Sequence, residues 1–176
     1  MDKDTARKTG LSARKSLPEE QRRRYDSSLL KQMIACAKDA ELTGCYVSMK
    51  DEPDTHAFLR WCFENETPVC VPRVCGNTLT FHRIRSFSEL NEGTFGVMEP
   101  SGAEELSISS IDLMFVPLSA FDEDHNRTGY GRGYYDSVLL PSMRKIGIAY
   151  PEQKVDHIDA DPWDIPLDRI LLPESH

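Results

Sequence analysis

The segment IDLMFVPLSAFDEDHNRTGYGRGYYD, residues 111–136, joins the most hydrophobic run of the chain to its most glycine-rich one. Residues 111–118 are almost all apolar, as expected for a central parallel strand that is buried on both faces of a sheet. Sheets of this kind bind ligands at the carboxyl ends of their strands. The sequence therefore predicts that the loop at residues 126–136, which follows this strand, lies in a binding site.

Helical and strand patterns alternate along the chain. Helices are predicted at residues 3–15, 17–38, 55–65 and, as a short element, 134–140. Further strands are predicted at residues 45–49, 68–72, 78–84, 145–150 and 169–172, and a loop at residues 93–100. Residues 16–19 (SLPE) resemble a capping box, with Ser16 as N-cap of the second helix and Glu19 at its third position. This alternation predicts a single α/β domain over residues 1–176, a three-layer α/β/α fold with a mostly parallel central sheet.

Composition and charge restrict the class of protein. The chain has 176 residues, 39% hydrophobic and 28% charged, and no apolar run near the roughly 18 residues that a membrane helix needs. A net charge of -8 argues against nucleic-acid binding, which requires a broad basic face. The N-terminus has no apolar leader segment. We therefore expect a soluble cytoplasmic protein with neither a nucleic-acid nor a membrane partner. A monomer is a separate expectation, which the composition does not decide.

Two further residue types allow structural expectations. The five cysteines are odd in number and form no C-x-x-C pair, which argues against a disulfide framework and against a zinc site. Buried thiols are the better interpretation. The three consecutive arginines at residues 22–24 are interpreted as a solvated helix face with no role in function.

The glycine-rich loop combines the features of a phosphate site. Three glycines allow positive φ angles and let several N–H groups converge on one anion: Gly129, Gly131 and Gly133. If residue 133 opens a helix, the free amides of its first turn add to this field. Arg127 and Arg132 carry permanent charge in a fork that fits phosphate oxygens, and Asp136 offers a hard oxygen ligand for Mg²⁺. The alternative is a glycine-rich turn whose tyrosines fill the core.

Familiar nucleotide and hydrolase motifs are absent from the chain. It contains no G-x-x-x-x-G-K-[ST] string, so it has no P-loop. The dinucleotide fingerprint fails because the sixth position counted from Gly129 is Tyr134 rather than glycine. Neither G-x-S-x-G nor H-E-x-x-H occurs, which leaves the common hydrolase templates without support.

Taken with its flanks, the loop resembles the signature of 5-formyltetrahydrofolate cyclo-ligases, also called methenyltetrahydrofolate synthetases. The resemblance rests on FVPLSAFD at residues 115–122 followed by NRTGYGRGYYD at residues 126–136. Further blocks match in the family's order: Lys3 with Arg7, Arg14 and Leu17; VSMKDE at 47–52 with Thr55; GTFGVMEP at 93–100; GIAY at 147–150 with Gln153, PWD at 162–164 and Leu167-Asp168. Nearly the whole chain is covered.

The resemblance implies a reaction, its ligands and their residues. The family converts 5-formyltetrahydrofolate and ATP to 5,10-methenyltetrahydrofolate, ADP and phosphate, with Mg²⁺ as cofactor. The residues implied to bind ATP are Lys3, Asp4, Thr5, Ala6, Arg7, Arg127, Gly129, Tyr130, Gly131, Arg132, Gly133, Tyr134 and Tyr135. Those implied to bind the folate are Val47, Glu52, Tyr130, Gly131, Arg132, Gly133 and Tyr134. Arg127, Arg132 and Tyr134 are the implied catalytic residues, and Asp136 and Asp164 the implied metal ligands.

The chain departs from the family pattern at three positions. His125 stands where the family usually has glycine, Thr128 where it has leucine or isoleucine, and Asp159 where proline is common. A residue other than glycine at position 125 meets a steric cost if the turn needs a positive φ. We interpret His125 as a solvent-exposed turn residue rather than a proton-transfer group. Trp163 fits a ligand-stacking role or a core position equally well.

Two other functions share these features. The first is a small-molecule kinase on the same scaffold, acting on a different formyl or hydroxyl compound. The second is a folate-binding module without catalysis, in which His125 has disabled the loop. Turnover of 5-formyltetrahydrofolate with ATP separates the cyclo-ligase from both.

Overall fold

The computed structural model describes residues 1–174, so the last two residues of the predicted domain, Ser175 and His176, lie outside the described part. The helices are α1 (Lys3–Lys15), α2 (Glu19–Lys38) and α3 (His56–Glu64). The strands are β1 (Thr43–Cys45), β2 (Val69–Cys75), β3 (Thr78–Arg83), β4 (Leu90–Glu92), β5 (Met98–Pro100), β6 (Glu104–Leu106), β7 (Leu113–Val116), β8 (Ala120–Phe121), β9 (Arg127–Thr128), β10 (Arg144–Ile148) and β11 (Arg169–Leu171).

Seven strands form one mostly parallel sheet in the order β11-β10-β7-β1-β2-β3-β6. β7 lies near its centre between β1 and β10, parallel to both, and all four of its residues are buried. Only β3 runs against its neighbours β2 and β6. The predicted central strand and the predicted α/β fold with a mostly parallel sheet are therefore confirmed.

The two faces of β7 serve two apolar clusters. Leu113 and Phe115 join the cluster under α2 and α3, where Phe58 meets the Phe115 ring edge-on at 5.3 Å. Met114 and Val116 point to the other face, which is covered by residues of the segments 138–143 and 165–172. Burial on both faces explains why this strand is a continuous apolar run instead of an alternating one.

Helix α1 packs across the carboxyl edge of the sheet. Asp2 caps its first turn by accepting from the amide of Thr5 at 2.7 Å. An added Cβ at Gly10 would lie 1.9 Å from the carbonyl oxygen of Ser119, so only glycine allows this approach to the β8–β9 hairpin. The helix thereby carries its charged residues to the edge where ligands of such sheets bind.

Some predicted elements differ from the observed ones. The capping box is wrong, because Ser16 closes α1 by donating its amide to Ser12 and α2 begins at Glu19 after Pro18 without a side-chain cap. The short helix at residues 134–140 is also wrong. Those residues form a single turn, held by the amides of Val138 and Leu139 on the carbonyl of Tyr135, and Pro141 follows.

Two other predictions missed the strand pairing. Residues 98–100, expected in a loop, pair with β4 to form a small antiparallel hairpin. The strand expected at residues 45–49 lies at Thr43–Cys45 instead, since the chain leaves its neighbours in the sheet after Cys45. Short extended segments such as these gain their hydrogen bonds from distant partners, which local sequence does not specify.

The prediction of buried thiols is confirmed for four of the five cysteines and is wrong for Cys75. All five cysteines are free, and only Cys75 is exposed. Burial raises the pKa of the Cys62 and Cys70 thiols to about 12. Within residues 1–174, every helix is too short or too polar to cross a membrane.

Candidate active site

Two segments face each other at the carboxyl edge of the sheet. The first, the glutamate turn, is residues 49–52 and follows β1. The second, the glycine loop, is residues 129–133 and follows the β8–β9 hairpin. They meet where the hydroxyl of Tyr130 donates to Glu52 Oε2 at 2.9 Å. Residues 78 positions apart in the chain thus share one site.

The glycine loop has main-chain N–H groups without acceptors in the described part of the chain. Gly131 and Gly133 adopt left-handed φ angles of 86° and 69°, which glycine accepts without strain. Residues 131–133 are exposed, and within the described part of the chain their amides donate no hydrogen bond. Because no helix begins at Gly133, these donors come from the loop alone. They are available to an anion.

Helix α1 lines the loop with basic side chains. Arg7 donates from Nε to the carbonyl of Gly129 at 3.0 Å. Its Cζ atom lies 3.4 Å from the position that a Cβ on Gly131 would occupy. Lys3 Nζ lies 2.6 Å from Asp161 Oδ2 and 2.5 Å from Asp164 Oδ2. Partial burial acts to lower the pKa of Lys3, but its bonds to these two carboxylates prevail and raise it.

The remaining predicted residues of α1 have structural contacts. Asp4 is bound to Arg7 NH1 at 2.6 Å and otherwise faces solvent. The Thr5 amide is used by the Asp2 cap. Ala6 is fully buried against Ala120, so its side chain does not face the loop. Of the five residues predicted at the N-terminus, only Lys3 and Arg7 bring charged side chains to the site.

Arg127 lies beneath the glycine loop. It pairs with Asp136 at 3.2 Å, and an added Cβ on Gly129 would stand 3.3 Å from its NH1 atom. Burial lowers the pKa of Arg127, while the nearby Asp136 and Asp164 carboxylates act against this shift. Its Nε atom is buried and has no partner within residues 1–174. An unsatisfied buried donor is costly, so this side chain gains from an added acceptor.

The glutamate turn is closed by its own side chain. The Met49 amide donates to Glu52 Oε1 at 2.8 Å, and the Glu52 amide donates to the Met49 carbonyl at 2.8 Å. Burial raises the pKa of the Glu52 carboxyl, although the Met49 amide, Tyr130 and Arg14 act to lower it. Val47 is 3% exposed and belongs to the core, which leaves only its main chain for contact with a ligand.

Arg14 was quoted in the sequence match but given no role, and it lies at the centre of the site. It is 3% exposed and donates to Asp51 Oδ1 at 3.0 Å, to the Tyr130 hydroxyl at 3.1 Å and to the Leu118 carbonyl at 3.3 Å. Its spacing was a usable signal. Lys3, Arg7 and Arg14 recur at four and seven residues, which places them along one face of a helix.

Phe95 is a second residue that sequence reasoning passed over. It is 57% exposed and has a left-handed φ of 59°, an unusual conformation for an aromatic residue. Arg132 lies over its ring, with 4.1 Å from Cζ to the ring centroid, a cation–π contact. Arg132 is otherwise exposed, so the predicted catalytic arginine is held by one aromatic ring.

The other predicted aromatic residues divide into core and surface. Tyr134 is half-buried in the turn that follows the loop. Tyr135 packs edge-on against Phe81 at 6.5 Å, and its buried hydroxyl has no partner among the described residues. Trp163 is 73% exposed, which removes the core interpretation and leaves its ring free to stack.

Asp136 and Asp164, the predicted metal ligands, both lie near Arg127. Each has one carboxylate oxygen in an ion pair, with Arg127 and Lys3 respectively. Another acidic cluster lies elsewhere, where ligand atoms of Asp122, Asp124 and His157 come within 4.8 Å of one another. The Asp122 carboxylate there already accepts three hydrogen bonds from Asp124 and Asn126 in its own turn and one from the Ile158 amide, so it stabilises the local backbone.

Two departures from the family pattern have local explanations. His125 has a φ of 63°, as expected of a position that favours glycine, and it is half-buried rather than exposed. Its Nδ1 lies 3.1 Å from the Leu167 carbonyl, so it ties the hairpin to Leu167, which lies outside the glycine loop. Thr128 is buried, and its hydroxyl lies 2.7 Å from that of Ser119. Nothing in the structure explains Asp159 in place of proline.

Comparison with known proteins points to one family. Residues 1–173 match the family model described as the 5-formyltetrahydrofolate cyclo-ligase family. A 5-formyltetrahydrofolate cyclo-ligase of Mycoplasma pneumoniae is 33% identical over 99% of this chain and 100% of that protein, and one of Mus musculus is 28% identical over 92% and 88%. The 5,10-methenyltetrahydrofolate synthetase structure of Aquifex aeolicus superposes with a TM-score of 0.86 at 32% identity, covering 97% of this chain and 89% of that one.

Proposed function

Since the chain belongs to the 5-formyltetrahydrofolate cyclo-ligase family, we propose that it converts 5-formyltetrahydrofolate and ATP to 5,10-methenyltetrahydrofolate, ADP and phosphate. The family membership supports a cyclo-ligase. ATP dependence, the magnesium requirement and the phosphorylated intermediate are the finer parts of the proposal. The site described above supplies groups that suit each of them.

The chemistry explains why ATP is consumed. N10 must attack the formyl carbon on N5 to close a five-membered ring, but the formyl oxygen is an amide oxygen and a poor leaving group. Transfer of the γ-phosphoryl group breaks its bond to ADP and forms a bond to that oxygen. The lone pair of N10 then attacks the formyl carbon, the carbon–oxygen bond breaks with release of phosphate, and N10 loses its proton. Catalysis rests on positioning and charge stabilisation.

In this proposal the glycine loop and α1 hold the nucleotide. The unbonded amides of residues 131–133 donate to phosphate oxygens, with Lys3, Arg7 and Arg127 around them. Arg132 leaves the ring of Phe95 to stabilise the charge on the transferred phosphoryl group. The orphaned Nε of Arg127 supports the proposed role, because this buried donor beside the loop lacks an acceptor.

The glutamate turn holds the folate. Glu52 accepts hydrogen bonds from the pterin ring, whose N–H groups need a carboxylate fixed in position. We expect residues 130–134 to face the formyl group and the pterin as well as the nucleotide. We assign no general base, because N10 can lose its proton late in the reaction.

Mg²⁺ fits the carboxylates of Asp136 and Asp164. Each keeps one oxygen free of any bond to residues 1–174, and carboxylate oxygen is the ligand that this ion prefers. When bound, the ion would neutralise phosphate charge. We also propose a cytoplasmic monomer, a location that suits five cysteines without a disulfide.

The observation that carries the proposal is the hydrogen bond from Tyr130 to Glu52, which joins the two walls of the site. The test is an assay of the folded protein with 5-formyltetrahydrofolate, ATP and Mg²⁺. We expect near-ultraviolet absorbance of the methenyl product and equimolar ADP. Release of ADP without absorbance would indicate a kinase, and folate binding without either would indicate a non-catalytic module.

A further inference from the structure

Three consecutive arginines on α2 have different environments. Arg23 is 75% exposed on its side chain and pairs with Glu19 at 3.7 Å, and Arg24 is exposed beside Gln21. Arg22 instead turns towards the candidate active site and is half-buried. The expectation of a solvated face is therefore wrong for Arg22, and the arginine beside it serves as a matched comparison.

Arg22 connects the glutamate turn to α1. Its NH1 donates to the carbonyl of Asp51 at 2.5 Å, and its NH2 donates to the carbonyl of Arg14 at 2.7 Å. Both acceptors are main-chain oxygens, so the contact fixes the backbone of the turn directly. A planar guanidinium can hold two such oxygens at a set separation, which a single ammonium cannot do.

Neighbouring side chains support the contact between Arg22 and the glutamate turn. The Arg22 guanidinium lies 5.4 Å above the ring centroid of Tyr150, whose hydroxyl donates to Asp26 Oδ1 at 2.6 Å. Asp26, one helical turn after Arg22, accepts from the Asp54 amide at 3.3 Å. The side chains of α2 thus hold the chain on both sides of Glu52.

Within the described part of the chain, the hydrogen bonds of Arg22 go neither to the glycine loop nor to Lys3 and Arg7 at the start of α1. Its acceptors are the carbonyl next to Glu52 and that of Arg14, whose guanidinium in turn binds the Asp51 carboxylate and Tyr130. Loss of Arg22 would free the backbone at Asp51 and disturb the orientation of Glu52. The phosphate-binding amides of residues 131–133 lie outside this set of contacts.

We propose that Arg22 is a positioning residue for the folate, which holds the glutamate turn against α1 so that the Glu52 carboxylate keeps its orientation. This rests on the proposed function, in which Glu52 accepts from the pterin. The proposal separates the two substrates, because it predicts weaker folate binding with unchanged nucleotide binding.

The first measurement is hydrogen exchange on the ligand-free protein, comparing Arg22→Met with Arg23→Met. Methionine keeps an apolar stem against Tyr150 but removes every donor. We expect amides of the segment 49–54 to exchange about tenfold faster in Arg22→Met, from the loss of charged hydrogen bonds, with β7 unchanged. Arg23→Met should match the wild type. Equal exchange in both variants would overturn the proposal.

The second measurement is binding of 5-formyltetrahydrofolate and of ATP, each alone. Arg22→Met should weaken the folate by about tenfold, because the charge-assisted bonds that it removes act on the turn and not on the ligand itself, and should weaken ATP by less than about twofold. Equal weakening of both ligands with a lowered Tm would indicate a general structural role and contradict the proposal.

If Arg22→Met does not fold, Arg22→Lys takes its place, with an intermediate folate effect expected. If the wild-type protein binds no folate, the proposed function is refuted. The hydrogen-exchange measurement would still decide whether Arg22 holds the glutamate turn.

Discussion

The two walls of the candidate active site are built in opposite ways. Around the glutamate turn the polar groups are bonded within the protein. Ser48 and Thr55 exchange two hydrogen bonds of 2.9 and 3.0 Å, the Thr55 hydroxyl also donates to the Tyr46 carbonyl, and the Tyr46 hydroxyl donates to Pro53. Residues 131–133 of the glycine loop make no comparable bonds to the described part of the chain, and they are exposed.

The contrast matches the ligands that we propose. A pterin is a flat, rigid ring, and an acceptor that is already fixed binds it without further loss of conformational freedom. A polyphosphate is flexible and strongly charged, so it gains most from unsatisfied donors that can adapt to it. The glutamate turn, the rigid wall of the site, would select the folate. The glycine loop, the adaptable wall, would keep its hydrogen bonds to the phosphate during the reaction.

The strongest test of the adaptable wall is Arg132→Met. Arg132 is exposed and, among the described residues, its side chain is held by the Phe95 ring, so its loss should leave Tm unchanged. Turnover should fall by about 100-fold, the size of effect that removal of one charge-stabilising group has on a transition state. Steady-state absorbance kinetics measure it. Arg85→Met, an exposed arginine after β3, is the control, and wild-type turnover in Arg132→Met would contradict the assignment.

The rigid wall is tested by Glu52→Gln together with a pH titration. Burial raises the Glu52 pKa above its ordinary 4.5, and protonation removes the acceptor that the pterin needs. Folate affinity of the wild type should therefore fall on acidification, beginning at a higher pH than for an exposed glutamate. Glu52→Gln should bind about tenfold more weakly, since an ionised acceptor is lost, and should lack this pH dependence.

Exposed Glu66 supplies the comparison for that experiment. Glu66→Gln should retain both the affinity and the pH dependence of the wild type. A titration that persists in Glu52→Gln would assign the pH effect to another group. The rigid wall would then have a different acceptor.

A smaller effect is expected from Gly131→Ala. At a φ of 86° an alanine is strained by about 1–2 kcal/mol, and relief of that strain would turn the free amides away from the phosphate. The affinity for ATP should fall by about fivefold, measured by calorimetry, with folate affinity retained. Gly76→Ala carries similar strain at a φ of 62° in an open turn between β2 and β3. It should lower Tm without changing either affinity, and equal behaviour of the two variants would show that the loop conformation is irrelevant.

The smallest effect concerns magnesium. Asp136→Asn keeps the shape of the side chain but removes a charged oxygen ligand, so about threefold more Mg²⁺ should be needed for half-maximal turnover. Asp124→Asn, in the other acidic cluster, should leave the magnesium titration unchanged. If the two variants exchange these results, the ion binds near Asp122 and not beside the glycine loop.

Much of this architecture was readable from local sequence. Residues 111–118 indicated the buried central strand, and the helix predicted at residues 3–15 is α1. Positive φ at Gly131 and Gly133 followed from glycines in a run with charged neighbours. These features depend on residues next to one another in the chain, and steric limits on the backbone act at that range.

Other outcomes depended on packing. A helix at residues 134–140 was favoured by composition, but the segment makes one turn before Leu139 and Met143 enter the core of the second face. Ser16 had the right neighbours for a capping box and ended α1 instead. The burial of Arg22 beside two exposed arginines has no signature in a run of three identical residues.

By itself, then, the amino-acid order determined an α/β chain with a parallel strand leading to a glycine-rich anion loop. Only the tertiary structure decided that Tyr130 meets Glu52 and that Arg22 holds the turn beside it. The physical reason is the separation along the chain over which each kind of interaction acts. Backbone conformation and periodicity are set by near neighbours, whereas these contacts arise because β1 and β7 pair in parallel and bring the segments that follow them to the same edge of the sheet.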